Sequence, residues 1–305
     1  MSVQKADVIY IAGAAHDARY TRICVASVRR VYPTLPVKIL AGGPLEAGLA
    51  SELARCWDVG VADLPAQDYG WGFVKLEPLF GPPGERFLVL DSDTVITGPV
   101  LAAWDEAEGP FLVDDERQTE ADARRLYYDW ERLLCDAPQT RAPAFLFNSG
   151  QWFGTAGVVS RADFEPVLAW GAPPRLRYPE CFMGGDQGVL NWVLNQKGGD
   201  GAFGVGRRTI MRWPKHSMAG LSAAEVAAGE APALVVHWAG LKKPRLSAMP
   251  GADVLAWFEQ FYYERVPNGP LLRAARSARY ALPHKPSPRA VLRKAGRALR
   301  GRAWA

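Results

Sequence analysis

Phe87-Leu88-Val89-Leu90-Asp91-Ser92-Asp93 is an apolar strand pattern that ends abruptly in two carboxylates, two residues apart. A strand of this kind, in a chain whose strands and helices alternate, presents both carboxylates at the carboxyl edge of a sheet, where α/β folds bind ligands. Hard oxygen ligands so placed suit Mg²⁺ or Mn²⁺ bridging a diphosphate. The same two residues also fit a solvated turn that caps the next element, so the reading depends on what surrounds them.

Upstream, short apolar runs predict strands over 7–13, 36–41, 59–62 and 86–90, with helices over 19–31 and 45–56 between them. That alternation is the signature of βαβ units and a mostly parallel sheet. Pro82-Pro83-Gly84 forces a turn just before the fourth strand. Downstream the pattern changes: a short helix follows Pro99, a charged helix runs over 119–134, and a β pair is expected across 145–159. Helices over 189–196 and 253–263 flank one more strand, 233–237.

The 305 residues are 49% hydrophobic and include 11 Trp, enough for a large core, which excludes a disordered chain or a disulfide-stapled miniprotein. The net charge of +4 hides an asymmetry, because positions 271–305 carry ten basic residues and no acidic one, leaving 26 basic and 32 acidic residues before them. The split predicts an acidic globular body, residues 1–270, and a basic tail, 271–305, divided at the breaker cluster Pro267-Asn268-Gly269-Pro270. A nucleic-acid-binding domain would carry its positive excess on the folded surface, so no nucleic-acid partner is expected. Cys24, Cys56, Cys135 and Cys181 have no metal-like spacing and point to a reducing compartment. No signal peptide is expected, because Asp7 precedes the apolar run 8–15 and no charged n-region and cleavage-site pattern frames it, and no membrane span, because the uncharged stretch 142–160 holds Pro143, Asn148, Gln151 and three glycines.

Three further segments carry polar groups at element ends. His237 closes an apolar strand and is followed by Gly240 and the lysine pair Lys242-Lys243, so it reads either as a structural histidine or as an imidazole ligand with ammonium groups for phosphate. Asp186 and Gln187 stand where a helix begins, suited to an N-cap or to sugar hydroxyls. Asn148, in Phe147-Asn148-Ser149-Gly150, reads as a turn residue or a ligand amide.

The order of these motifs along the chain resembles the family 8 glycosyltransferases, retaining enzymes of the GT-A fold that include bacterial lipopolysaccharide transferases and glycogenin-like enzymes. The resemblance covers roughly residues 7–245 and extends to Asp17, Tyr20 and the Lys75-Leu76 pair. It implies an α/β GT-A domain with a mostly parallel central sheet flanked by helices. It also implies metal-dependent transfer of a hexose from a UDP-sugar to a glycan or lipid-linked saccharide. On this resemblance Asp91, Asp93 and His237 ligate the ion, normally Mn²⁺, and Lys243 contacts phosphate. Asp17, Tyr20, Lys75, Asp91 and Asn148 would line the donor site. Asp186 and Gln187 would be catalytic, with Gln187 close to the anomeric carbon in the front-face reaction that the resemblance implies; a double displacement with Asp186 as the carboxylate nucleophile stays open on the sequence. Arg245, where a Trp often follows Lys-Pro, and Gly188, where an Asp is frequent, depart from the family pattern.

Two rival readings fit the residues less well. A sugar nucleotidylyltransferase would need a glycine-rich loop that Ile11-Ala12-Gly13-Ala14-Ala15 lacks, and a non-catalytic nucleotide-sugar or nucleic-acid binding protein would not need an intact Asp91, Asp93 and His237. Arg289, Arg293, Arg297 and Arg300 share one face of a helical wheel. This face is expected to hold the protein on an anionic membrane surface, the alternative being a solvated basic tail with incidental nucleic-acid affinity. Basic C-terminal extensions in the bacterial lipopolysaccharide transferases that the chain resembles imply the membrane reading and the cytoplasmic face in a bacterium.

Overall fold

A computed structural model describes residues 6–281 except 71, 108, 117, 243 and 244. Lys243 and the expected tail helix therefore lie outside the described residues. Twelve strands are present among them: β1 (Val8–Gly13), β2 (Val37–Ala41), β3 (Val59–Val61), β4 (Arg86–Asp91), β5 (Thr94–Ile96), β6 (Phe111–Asp114), β7 (Gln151–Thr155), β8 (Leu168–Ala169), β9 (Arg175–Leu176), β10 (Val205–Arg208), β11 (Met211–Arg212) and β12 (Val235–His237). The helices are α1 (Ala18–Val31), α2 (Leu49–Trp57), α3 (Ala102–Asp105), α4 (Glu120–Leu126), α5 (Trp130–Asp136), α6 (Arg161–Phe164), α7 (Asp186–Gly199), α8 (Ala223–Ala228), α9 (Ala252–Glu264) and α10 (Gly269–Ala281).

Seven strands form the central sheet in the order β10-β6-β7-β4-β1-β2-β3, parallel throughout except for β7. β4 is its middle strand, and Phe87, Leu88, Val89 and Leu90 are all fully buried. The run is unbroken because both faces are covered. Leu88 and Leu90 enter a core shared with α1 and α9, while Phe87 and Val89 enter one shared with Leu76 and α7.

The register explains how two distant motifs meet. Ala12 of β1 pairs with Asp91, so both strands end at one sheet edge. After Asp93 the chain turns back, with the Thr94 hydroxyl donating to the Asp91 carbonyl at 2.8 Å, and enters β5. β5 belongs to a small sheet, β11-β12-β5, in which Thr94 lies opposite His237. The Trp238 amide donates to the Asp93 carbonyl at 3.0 Å, so His237 is brought beside Asp93 although 144 positions separate them.

The β pair expected across 145–159 is corrected: only Gln151–Thr155 is a strand, and it inserts between β4 and β6. The preceding segment bonds to a helix instead. Asn195 accepts from the Ala144 and Phe145 amides and donates to the Phe145 carbonyl, and Asn191 brackets Phe147 in the same way. Two buried asparagines one helical turn apart on α7 thus satisfy a backbone that a strand would otherwise have paired. The charged helix expected over 119–134 is two helices, α4 and α5, because the Asp129 carboxylate caps a new start at Arg132 N.

The breaker cluster is a turn with Asn268 at φ 55°, after which α10 packs back on α9. Arg276 Nη2 lies 2.7 Å from Glu52, whose carboxylate also accepts from Arg22 and from the Tyr262 hydroxyl. Burial alone would raise the Glu52 carboxyl, but Arg276, Arg22 and Tyr262 outweigh it and hold it at about 2. Arg273 pairs with Glu259 at 3.2 Å. These arginines therefore neutralise buried carboxylates of the body.

Asp114, at the end of β6, ties the two sheets together by accepting from the Ile210 and Met211 amides at 2.8 Å each. Burial pushes its carboxyl up to about 6 despite those bonds. Because the folded value exceeds that of the unfolded chain, stability falls as pH rises from about 4 through 6. Asp114→Asn keeps an acceptor for both amides and should flatten that slope, with a gain on the order of 2 kcal/mol above pH 7. Urea denaturation at pH 4 and pH 8 checks this; a variant that retains the wild-type pH slope would contradict it.

Candidate active site

Asp91, Asp93 and His237 offer ligand atoms that all lie within 4.8 Å of one another. His237 Nε2 is 3.3 Å from Asp93 Oδ1 and 3.7 Å from Asp91 Oδ2. These are ion-pair distances off the hydrogen-bonding line, and neither imidazole nitrogen has a hydrogen-bond partner among the described residues. The ring is 2% exposed and Asp93 7%. A buried imidazole with both nitrogens unbonded, facing two carboxylate oxygens, is a donor set that fits a divalent ion.

Glycine makes the room. A Cβ on Gly150 would lie 2.2 Å from His237 Cε1 and 2.6 Å from Nδ1. Gly72, at φ +84°, does the same for Asp186, where a Cβ would fall 2.2 Å from Oδ1.

Lys75 bridges the two acidic centres, its ammonium 3.0 Å from Asp91 and 3.1 Å from Asp186, with the Ser149 hydroxyl and carbonyl at 3.1 Å. Burial alone would favour the neutral amine; Asp186 and Asp91 outweigh it and hold Lys75 above its ordinary range. Burial raises the Asp186 carboxyl, with Lys75 acting against that rise. On the other flank Lys242 lies 2.8 Å from Asp17 and 3.3 Å from Asp93, with its ammonium 5.9 Å from the centre of the Tyr20 ring. Tyr20 turns its hydroxyl to Met249 Sδ at 3.1 Å.

Gln187 is held at both ends. Its Nε2 donates to the Leu126 carbonyl at 2.9 Å, and its Oε1 accepts from Asn148 Nδ2 at 2.8 Å and from the Ser149 amide at 3.3 Å. The Asn148 oxygen in turn accepts from the Gly150 amide at 2.8 Å. Asp17, Tyr20, Lys75, Asp91, Asp93, Asn148, Asp186, Gln187 and His237 thus form one contact chain at the sheet edge. Lys242, named in the sequence only as half of a lysine pair, joins it.

A cleft of about 510 Å³ opens at the same edge, past the end of β6, lined by Asp115, Glu116, Gln118, Phe145, Leu146 and Arg207 among others. No sequence pattern marked it, because its walls come from three separate segments.

No protein-family profile and no curated protein matches the chain. Solved structures do. The galactosyltransferase LgtC, in complex with donor and acceptor sugar analogues, superposes with a TM-score of 0.57 over 87% of this chain and 99% of its own, at 16% identity. WbbM, a bifunctional glycosyltransferase, gives 0.55 over 90% of this chain and 52% of its own, at 12% identity. The glycosyltransferase GlyE of Streptococcus pneumoniae TIGR4 gives 0.54 over 91% and 66%, at 14% identity. The chain has the GT-A glycosyltransferase fold. In this GT-A domain the candidate site lies where β1 and β4 end, and α1, α7 and the β5–β12 pair each bring one wall of it.

Proposed function

We propose that this chain is a metal-dependent retaining glycosyltransferase of the family 8 kind, moving a hexose from a UDP-sugar to a glycan or lipid-linked saccharide. The observation that carries the reading is the convergence of the buried Asp93 and His237 with the partly exposed Asp91 at the carboxyl edge of a GT-A sheet. A Mn²⁺ held there would offset the charge that develops on a departing diphosphate. Lys242 stands next to that position with its ammonium on Asp93, suited to a phosphate oxygen. Asn148, Asp186 and Gln187 would surround the donor sugar.

The surroundings of Asp186 favour a front-face reaction over double displacement. One of its oxygens is on Lys75 and the other is against Gly72, which leaves the carboxylate ill placed as a nucleophile. Gln187, fixed by Leu126 and Asn148, would instead place its amide oxygen near the developing positive charge. LgtC has been crystallised as an active-site glutamine-to-glutamate variant, which accords with that role. The cleft beyond β6, with its mix of carboxylates, an amide and Arg207, suits the hydroxyls of an acceptor saccharide.

Incubation with a panel of UDP-sugars and Mn²⁺, followed by NMR of the product anomer, tests the reading. The expected product keeps the donor's α configuration; an inverted product or the absence of UDP release with every donor would contradict it. Gln187→Ala should lower kcat by about a hundredfold and leave UDP affinity within about threefold, since the contact strengthens only near the transition state. A variant whose main defect is in UDP binding would reassign this residue.

Seven of the ten tail cations follow Ala281, outside the described residues, and no helix among the described residues is long and apolar enough to cross a membrane. Of the membrane-binding tail expected over 271–305, the part through Ala281 is the docked helix α10; we take the remainder, residues 282–305, to bind an anionic bilayer at the bacterial cytoplasmic face, at on the order of 1 kcal/mol per basic residue near the surface. Flotation with anionic liposomes should recover the full chain, in a salt-sensitive manner, and not a version ending at Ala281, which keeps α10 docked. Equal flotation of the two would overturn it.

A further inference from the structure

Histidines that ligate metals are usually oriented by a hydrogen bond from the second ring nitrogen to a carboxylate, carbonyl or water. His237 has no such bond within the described residues, since both of its nitrogens lack a hydrogen-bond partner. Beside the two carboxylates at ion-pair distance, packing helps to set the ring's rotation, and two neighbours contribute to it. Gly150 bounds the Cε1 and Nδ1 edge. Trp213 covers a face, its ring stacked on the imidazole with centroids 5.2 Å apart and planes 28° apart.

The placement of Trp213 is dictated by the small sheet. β11 runs parallel to β12 with Arg212 opposite Val236, so the next residue, Trp213, comes alongside His237. Its carbonyl then accepts from the His216 and Ser217 amides at 2.9 and 3.2 Å, which closes a turn and fixes the backbone that carries the indole. The indole is only half-buried, so its contact with His237 is not part of the apolar core.

We propose that Trp213 is a positioning residue for the metal site: by stacking, it holds the His237 imidazole with a nitrogen towards Asp91 and Asp93. The proposal rests on the reading of those three residues as a divalent-cation site. A flat side chain is the requirement, so Phe should substitute and an aliphatic side chain should not. Loss of the stack frees the ring to rotate, and the site then presents two carboxylates with an unaligned third ligand.

The test is a Mn²⁺ titration of the full-length protein without nucleotide, followed by the EPR signal of the free aquo ion. Trp213→Phe should bind Mn²⁺ within about twofold of wild type. Trp213→Leu should bind it about tenfold more weakly, the lower end of what loss of an orienting neighbour costs at metal sites. Thermal melts without metal should show both variants folded. If the Leu variant loses its cooperative melt, Trp213→Met, which keeps bulk without a flat face, carries the same comparison. Mn²⁺ affinity unchanged in the aliphatic variant, or lowered equally in the Phe variant, overturns the role of Trp213 alone. A wild-type protein that binds no Mn²⁺, or whose binding survives Asp93→Asn, instead sinks the metal-site reading and the proposal with it.

Discussion

Asp93→Asn is expected to lower metal-dependent UDP release by about a thousandfold, the scale of effect when charge stabilisation of a leaving group is removed. The residue is nearly buried, with one oxygen towards His237 and the other 3.3 Å from Lys242. Burial alone would raise its carboxyl, but His237 and Lys242 outweigh that and hold it well below the usual range, so it is ionised at neutral pH. Asparagine keeps the shape and removes the charge. It also leaves Lys242 beside Asp17, a half-exposed cation that retains a partner, so the fold should tolerate the change. Initial rates of UDP release at a fixed Mn²⁺ concentration, with a thermal melt as the control for folding, check the prediction. A folded variant that retains more than about a tenth of the wild-type rate would mean the developing charge is met elsewhere.

Gly150→Ala should damage the same centre by a different route. Its Cβ would lie 2.2 Å from His237 Cε1 and 2.8 Å from the Asn148 oxygen, inside any permitted contact. The backbone cannot yield, because the Gly150 carbonyl accepts from the Asp91 amide and its own amide donates to Asn148, both at 2.8 Å. The imidazole must move instead. Mn²⁺ affinity should fall at least about tenfold and turnover about a hundredfold, at a stability cost of about 1–3 kcal/mol for overpacking. Gly43→Ala, where a Cβ meets nothing within 4 Å, is the matched control and should be neutral. Unchanged Mn²⁺ binding in Gly150→Ala would show that His237 does not serve as a ligand.

The residues show what a sequence can and cannot reveal. β1, β2 and β4 were legible because strands buried on both faces are written as apolar runs, and Asp91 and Asp93 stood out by ending one. β5 and β11, of three and two residues, are too short for any periodicity, although they bring His237 to Asp93 and Trp213 to His237. Asn191 and Asn195 read as ordinary helix residues, and only the folded structure shows them replacing a strand partner for residues 144–147. Arg273 and Arg276 of α10 read as part of a uniformly basic tail because their acidic partners, Glu259 and Glu52, lie elsewhere in the chain. Lys75 stands out only through the family resemblance, and its place between Asp91 and Asp186 depends on three segments meeting.

The central claim is that Asp91, Asp93 and His237 hold a divalent ion that clamps a nucleotide diphosphate. Isothermal titration of UDP into the full-length protein, once with Mn²⁺ and once with EDTA, tests it most directly when run on wild type and Asp93→Asn side by side. UDP binding at least about tenfold tighter with Mn²⁺ is expected in the wild type, about 1.4 kcal/mol, with no difference between the two conditions in the variant. Equal UDP affinity in Mn²⁺ and EDTA for the wild type, or a Mn²⁺ effect that persists without the Asp93 carboxylate, would contradict it.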